Sequence, residues 1–177
     1  MNISSLVSFI RNTRKLHKII GLGISLFIII SALSGILLAF KKQADFIQPG
    51  SQKGSSTKVE EFLPIDRLMQ ISIQKVEKEH AIIDRLDIRP EKGIAKVLFK
   101  DLNWEMQIDL NTGAVLSQQA RYSDLIERIH DGSIISEGFK LISMSTLGIG
   151  LLILCFSGLS LWYGPKLIKN KKSATNT

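Results

Sequence analysis

Two long apolar stretches constrain the fold of this chain more than any other feature. They are residues 19–40 and 141–163, and their 22 and 23 residues include no acidic, basic or histidine side chain. Each matches the roughly 20 apolar residues that a helix needs to cross a bilayer core of about 30 Å. The sequence therefore predicts a membrane protein with two transmembrane helices. This excludes a soluble enzyme, a secreted disulfide-rich domain and a free nucleic-acid-binding protein.

The net charge of +7 is concentrated at the two ends of the chain. Residues 1–18 and 164–177 each carry four basic and no acidic side chains, whereas all 16 acidic residues lie between positions 41 and 140. Short flanks rich in Lys and Arg stay on the cytoplasmic side of a membrane. We therefore expect cytoplasmic termini and an extracytoplasmic segment 41–140. Orientation explains the basic tail better than a DNA-binding arm does, so the expected partner is the lipid bilayer and not a nucleic acid.

The first apolar stretch has an alternative interpretation as a cleaved signal peptide, because Ala32-Leu33-Ser34 resembles a small-residue processing site. The apolar run continues to Phe40, which is longer than the 7–15 residues of a signal-peptide core. A retained signal anchor is the favoured prediction. The only cysteine, Cys155, lies within the second stretch, so no intrachain disulfide is possible and we interpret it as an apolar filler.

Small residues recur at alternating spacings of four and three along one face of each span. Helices in lipid associate through close backbone approach, so these two stripes are predicted helix-packing faces. The stripes are Gly21, Ser25, Ile28, Ala32, Gly35 and Ala39 in the first span, and Thr146, Gly150, Ile153, Ser157, Ser160 and Gly164 in the second. Both spans also contain Ser-Gly-x-x-Leu near their ends, beginning at Ser34 and Ser157.

The segment between the spans divides into three parts. Residues 41–59 contain Gly, Pro and Ser clusters without periodicity, which predicts a flexible linker. Residues 60–120 predict a small α+β domain: a helix over 65–79, strands over 82–89, 94–100 and 104–110 in an antiparallel meander, and a further extended piece over 114–117. Residues 121–140 predict a juxtamembrane segment whose amphipathic part, 122–130, suits the membrane interface. The predicted fold class is thus two transmembrane helices flanking a small α+β extracytoplasmic domain.

Several of these residues resemble a known family. The run Ile-Asp-Leu-Asn-Thr-Gly-Ala-Val at 108–115, at the end of a meander that follows a helix, resembles a PepSY module. Leu-His-Lys-x-x-Gly opens the first span at Leu16, and Ile-His-Asp-Gly precedes the second at Ile129. With these motifs, the chain from about Arg14 to Pro165 resembles the PepSY-associated transmembrane family.

The resemblance implies a bacterial inner-membrane protein with a periplasmic domain, in a setting of iron or siderophore uptake. Some larger members, with four or more spans, are proposed to be haem-containing ferric-siderophore reductases. This chain departs from them in having two spans. The resemblance therefore implies an electron-transfer or ferric-reductase-like component rather than an autonomous reductase.

The same resemblance makes His17 and His130 candidate haem ligands, since haem iron commonly takes imidazole ligands from both faces of the ring. The 22 helical residues between the span boundaries separate the two by roughly 30 Å at 1.5 Å each. One protomer therefore cannot hold one haem between them, and a second copy or a larger membrane partner must supply the other ligand. The alternative is that His17 is an interfacial cation and that His130 caps or hydrogen-bonds at a helix join. His80 is interpreted as an exposed helix end, and no metal site is assigned.

No nucleophile with a base, phosphate loop or carboxylate pair is recognisable, so no catalytic residue is assigned and a hydrolase is disfavoured. Two classes of function remain open. One is the haem-containing component described above. The other is a non-enzymatic, membrane-tethered PepSY-like module that binds a peptide or protein partner through a sheet edge, as a protease inhibitor or a transporter accessory.

Overall fold

The structure is a computed structural model that describes residues 3–76, 82–100 and 103–175. The chain forms two compact units, a helical unit of residues 1–34 and 128–177 and an α+β unit of residues 35–127. His80 and the last residues of the helix predicted over 65–79 lie outside the described residues.

Two long helices dominate the helical unit. They are α1 (Ile3–Ala39) and α4 (Glu137–Thr175), and both are long and apolar enough to cross a membrane. Between them in sequence lie two shorter helices, α2 (Ile65–Gln74) and α3 (Ser123–Asp131). Both long helices extend beyond the predicted spans, and α4 continues past Pro165. The predicted fold class, two spans flanking a small α+β domain, is confirmed.

The small residues of α4 lie against α1. Gly150, Ser157 and Gly164 are buried. A Cβ atom at Gly150 would lie 2.7 Å from Ile24 Cδ1, and one at Gly164 would lie 2.5 Å from Ile10 Cδ1. The glycines of α4 thus accept the isoleucines of α1, the close fit of small against large side chains that dense packing requires.

The stripe on α1 is only partly in this contact. A Cβ at Gly21 would lie 3.6 Å from Leu154 Cδ2, an ordinary contact distance, and Gly35 is half-buried. Ala32 and Ala39 are exposed. The remaining stripe positions Ser25, Ile28, Ile153 and Ser160 are half-buried, and Thr146 is exposed.

Four antiparallel strands in the order β1-β2-β3-β4 form the sheet of the α+β unit. The strands are β1 (Ile83–Arg89), β2 (Ile94–Phe99), β3 (Trp104–Asp109) and β4 (Val115–Ala120). The antiparallel meander is as predicted, and the fourth strand is longer than the predicted 114–117. Helix α2 covers the apolar face, and the core consists of Leu68, Ala95, Val97, Phe99, Met106, Ile108 and Leu110.

The opposite face of the sheet is polar and also buried. Lys96, Glu105, Gln107 and Asp109 are each at most 3% exposed. They are covered by part of the segment 41–59, in which Ile47 is 2% exposed. The sequence predicts a flexible linker there, whereas in the structure this segment crosses the sheet.

Side chains of β3 hold the segment through hydrogen bonds. The backbone N–H of Gln52 donates to Gln107 Oε1 at 2.7 Å, and Gln107 Nε2 donates to the carbonyl of Gly50 at 2.9 Å. Asp109 accepts from the backbone N–H of Ser55 at 2.6 Å and from its hydroxyl at 3.0 Å. A buried row of polar side chains needs partners, and the backbone of the segment supplies them.

Candidate functional site

His17 is held by a serine of the other long helix. Its Nδ1 lies 2.7 Å from Ser157 Oγ. The Ser157 hydroxyl donates its hydrogen to the carbonyl of Ile153 at 2.6 Å. A hydroxyl has a single hydrogen, so Ser157 Oγ accepts from His17, and Nδ1 carries the proton. In the neutral imidazole the lone pair then resides on Nε2.

His130, at the end of α3, has the same tautomer for a related reason. Its Nδ1 lies 2.9 Å from the carbonyl oxygen of Ser31 and 3.1 Å from Ser34 Oγ. A carbonyl oxygen only accepts, so Nδ1 is the donor. The Ser34 hydroxyl donates to the carbonyl of Ile30 at 2.6 Å, which leaves its oxygen free to accept as well. The lone pair of neutral His130 is again on Nε2.

The two pairs form a crossed arrangement between the helices. Ser157 begins the Ser-Gly motif of α4 and holds His17, whereas Ser34 begins the Ser-Gly motif of α1 and holds His130. The glycine that follows Ser157 lies beside the ring, where a Cβ would be at an ordinary contact distance of 3.7 Å from His17 Cε1. His17 is therefore oriented through Nδ1 by Ser157 of α4, and His130 through Nδ1 by Ser31 and Ser34 of α1.

The Ile-His-Asp-Gly motif shapes the join in which His130 lies. Asp131 forms an ion pair with Lys140 at 2.7 Å. Burial opposes ionisation of Asp131, but the bonds to Lys140 and Ser133 outweigh it and lower the pKa of the carboxyl to about 2. Gly132 has a φ of 81°, in the left-handed region that favours glycine. The motif thus ends α3 and fixes the position of His130 in front of α4.

The separation of the two pairs excludes a common site within one chain. His17 precedes Ser31 and Ser34 by 14 and 17 residues of continuous helix, or about 21–26 Å at 1.5 Å per residue. This is somewhat shorter than the roughly 30 Å expected from the span boundaries, and the conclusion is the same. Each of the two positions along α1 therefore has one imidazole.

The donor chemistry at each position would allow His17 or His130 to hold a haem iron through one imidazole nitrogen. A ligating histidine usually donates its second ring N–H to a carbonyl or another polar group, which fixes the tautomer and the ring orientation. Within residues 3–76, 82–100 and 103–175, neither His17 nor His130 has a hydrogen-bond partner at Nε2, the atom that would bind iron. The same described ranges hold no group of three or more His, Cys, Asp or Glu residues that could bind a metal ion. Each position thus offers one imidazole nitrogen that could bind a metal whose other ligands come from elsewhere.

A comparison with family models covers most of the chain. The model of the PepSY-associated TM region matches residues 14–175. The chain belongs to the PepSY-associated TM family. No curated protein and no solved structure matches this family member.

Sequence reasoning identified both histidines and both Ser-Gly motifs of this PepSY-associated protein, but it did not connect them. Ser157 was assigned only to helix packing, and the contribution of Ser31 was missed. The signal was present in the repetition of Ser-Gly in both spans, because two serines at equivalent places suggest two equivalent roles. The third histidine, His80, lies outside the described residues.

Proposed function

We propose that this PepSY-associated membrane protein is a haem-binding electron-transfer component of the bacterial inner membrane that assists iron or siderophore uptake. The observation that supports the proposal is that Nδ1 of both His17 and His130 lies within hydrogen-bond distance of a serine oxygen, from which we assign the same tautomer to the two rings. Both rings are anchored through Nδ1–H and present Nε2. When bound, haem supplies one-electron chemistry, which a chain of ordinary side chains lacks.

The residues of the chain would position and shield the group. Ser157 and Ser31 hold the two rings, so little ordering is left to occur when iron binds at Nε2. The α1 and α4 helices carry no ionised side chain over residues 19–40 and 141–163, so water is excluded along most of their length.

The proposal requires more than one chain. Each chain provides one imidazole on each side, so the opposing ligand comes from a second copy or from a larger membrane partner. The basic ends of the chain favour cytoplasmic termini. His17 would then lie near the cytoplasmic side and His130 near the periplasmic side, the arrangement that moves electrons across a membrane. The link to iron uptake rests on the family.

A visible spectrum of the detergent-purified protein, expressed with added haem, tests the redox proposal. The unsubstituted protein should show a Soret band, and His17→Ala and His130→Ala should each remove part of it, because the two positions are independent. The matched control is His80→Ala, which should leave the band unchanged. Circular dichroism of each variant verifies that the helices remain. An unsubstituted protein that takes up no haem defeats the proposal.

The orientation has a separate test in a Cys155→Ser background. A cysteine at Ser56 should react with a membrane-impermeant thiol reagent in intact spheroplasts, and a cysteine at Ser173 should react only after lysis. The opposite pattern would contradict the proposed topology.

One observation favours the alternative of a tethered binding module. The open sheet ends in β1 on one side and β4 on the other, and an edge strand offers backbone N–H and C=O groups to an extended peptide. If the protein binds no haem, a peptide partner at an edge of this sheet becomes the favoured function. A pull-down with the intact protein as bait, through its segment 41–140, would test this alternative. The unsubstituted protein is compared with a variant that carries a proline in β4, because proline removes a backbone hydrogen-bond donor from the edge strand.

A further inference from the structure

A basic pocket of about 290 Å³ lies within the α+β unit, beside the polar face of the sheet. Four of its eight lining residues are cations, namely Lys42, Arg89, Lys92 and Lys96, and none is acidic. Three of the four come from the sheet and its β1–β2 turn, and Lys42 comes from the segment that follows α1. Separate parts of the chain therefore bring positive charge to one cavity.

The four cations of this pocket differ in their partners. Lys96 Nζ pairs with Glu105 at 2.7 Å, and Arg121, which also pairs with Glu105, has a second carboxylate partner in Asp124. The charge of Lys96 is therefore balanced within the protein. For Lys42, Arg89 and Lys92, the described part of the chain shows no side-chain hydrogen bond or ion pair.

One further carboxylate, that of Asp45, lies close to a lining residue of the pocket. Its Oδ1 lies 3.5 Å from the position of a Cβ on Gly50. A single carboxylate leaves cations in excess. Like charges that converge without a counter-ion repel one another, and an anion in the pocket would relieve that repulsion.

A second feature of the pocket indicates that the bound anion also carries a hydrogen-bond donor. Gln48 lines the pocket, and its Oε1 is buried with no hydrogen-bond partner in the described residues. A buried acceptor without a donor is destabilising, because it has lost its hydrogen bond to water. A bound group that offers a hydroxyl would satisfy Gln48, while its anionic part meets the lysines and the arginine.

The pocket also lies close in sequence to a membrane-spanning helix. Lys42 follows Ala39, the last residue of α1, by three residues, so their Cα atoms are at most about 11 Å apart. A basic side chain at the end of a span attracts an anionic phospholipid headgroup by Coulomb interaction. A phospholipid headgroup is therefore within reach of Lys42.

From these observations we infer that the pocket binds a glycerol phosphate group. The phosphate contacts Lys42, Arg89, Lys92 and Lys96, and a glycerol hydroxyl donates to Gln48. The headgroup of phosphatidylglycerol has this chemistry, and so does free glycerol 3-phosphate. The inference is independent of haem binding.

Two binding measurements on the full chain in nanodiscs distinguish the two sources. One counts phosphatidylglycerol molecules retained per protein by native mass spectrometry, after reconstitution in mixed phosphatidylcholine and phosphatidylglycerol. The other titrates glycerol 3-phosphate into protein held in phosphatidylcholine alone. Binding in the first measurement identifies the lipid headgroup as the source, and binding only in the second identifies the soluble compound.

The test variant is Arg89→Gln/Lys92→Gln, which removes two exposed or half-buried cations without breaking a described bond. Hydrogen bonds to charged groups are worth about 1.5–3 kcal/mol each, so affinity should fall at least about tenfold. The control is Lys75→Gln/Lys100→Gln, which removes the same charge from exposed positions outside the pocket. The control should retain full affinity.

Three results would overturn the inference. They are the absence of binding in both measurements, an equal loss in the control variant, which would show a general charge effect, and an unchanged affinity in the test variant. The role of Gln48 has its own comparison with methyl phosphate, which lacks the glycerol hydroxyls. Gln48→Met should abolish a preference for glycerol 3-phosphate over methyl phosphate, and equal affinities in the unsubstituted protein would contradict that role.

Discussion

Gly150→Ala should weaken the packing of α4 on α1, whereas Gly148→Ala on the same helix should not. A Cβ at Gly150 would lie 2.7 Å from Ile24 Cδ1 and 3.5 Å from Ile24 Cγ2. Ile24 is 8% exposed, so its side chain has little room to turn away. A Cβ at Gly148 would meet nothing within 4 Å.

Two opposing contributions set the size of the effect. Alanine favours an aqueous helix over glycine by about 1 kcal/mol, and this contribution is the same in both variants. The contact at Gly150 would be about 1 Å shorter than the 3.5–4.0 Å optimum between carbon atoms. Overpacking of a tight interface costs about 1–3 kcal/mol. Gly150→Ala should therefore be less stable than Gly148→Ala by about 1–3 kcal/mol.

The assay is unfolding of the detergent-solubilised protein by increasing SDS, followed by circular dichroism and by the fluorescence of Trp162 in a Trp104→Phe background. Gly148→Ala should unfold at the same SDS fraction as the parent or a higher one, and Gly150→Ala at a lower one. Equal midpoints for the two variants would refute the argument, because the contact with Ile24 is the main difference between them.

Two further predictions concern the histidine pairs and the sheet. Ser157→Ala should raise the population of the Nε2–H tautomer of His17, as measured by ¹⁵N NMR of the ring. It should also weaken haem binding about 10–100-fold. Ser34→Ala should change His130 less, because its Nδ1 keeps a backbone carbonyl at 2.9 Å. For Asp109, burial opposes ionisation, but hydrogen bonds from three backbone N–H groups and a hydroxyl outweigh it and hold the pKa below 3.8. Its stabilising contribution is therefore present above pH 3.8 and is lost as the pH falls through the lower folded value, and Asp109→Asn should remove this part of the pH dependence in thermal unfolding.

The transmembrane spans and the meander could be predicted because local composition determines them. An uninterrupted apolar run has few alternatives to a span. The short turns at Pro90–Gly93 and Asn111–Gly113 separate runs of strand-forming residues, which predicts hairpins without any knowledge of tertiary contacts. The family motifs were also local, each within a few residues.

The rotation of one helix about the other could not be predicted in the same way. The two small-residue stripes suggest that the stripes face each other, yet Gly150 and Gly164 lie against Ile24 and Ile10. Dense packing pairs a small side chain with a large one, and a single sequence does not show which large one. For the same reason the hydrogen bond from His17 to Ser157 could not be predicted, since those residues are 140 positions apart in sequence.

The buried polar face of the sheet was hidden for a different reason. Antiparallel sheets commonly leave one face in water, so the polar residues that alternate along β3 predict a solvated face. The partners of Gln107 and Asp109 are 54–57 residues earlier in the chain, in a segment without periodicity. Local patterns predict disorder for such a segment, because its ordered conformation depends on hydrogen-bond partners that are distant in sequence.

Whether residues 41–59 are held on the sheet can be tested at Gly54, where two backbones meet. The N–H of Gly54 donates to the carbonyl of Lys92 at 2.7 Å. A Cβ at Gly54 would overlap the carbonyl oxygen and carbon of Gly93. Backbone atoms cannot rotate away as a side chain can, so Gly54→Ala must move the segment off the turn. The neighbouring bond from Ser55 to the ionised Asp109 would be lost with it, at a cost of about 1.5–3 kcal/mol.

Trypsin cleavage after Lys53 measures this displacement directly, because a protease needs several residues of chain to leave the surface. Gly54→Ala should be cut at Lys53 much faster than the unsubstituted protein. Gly50→Ala is the matched control, since its Cβ would lie at an ordinary 3.5 Å from Asp45 Oδ1 and should leave the rate unchanged. If the unsubstituted protein is already cut as fast as Gly54→Ala, the segment is the flexible linker that its composition predicts, and the hydrogen bonds to β3 do not hold it in solution.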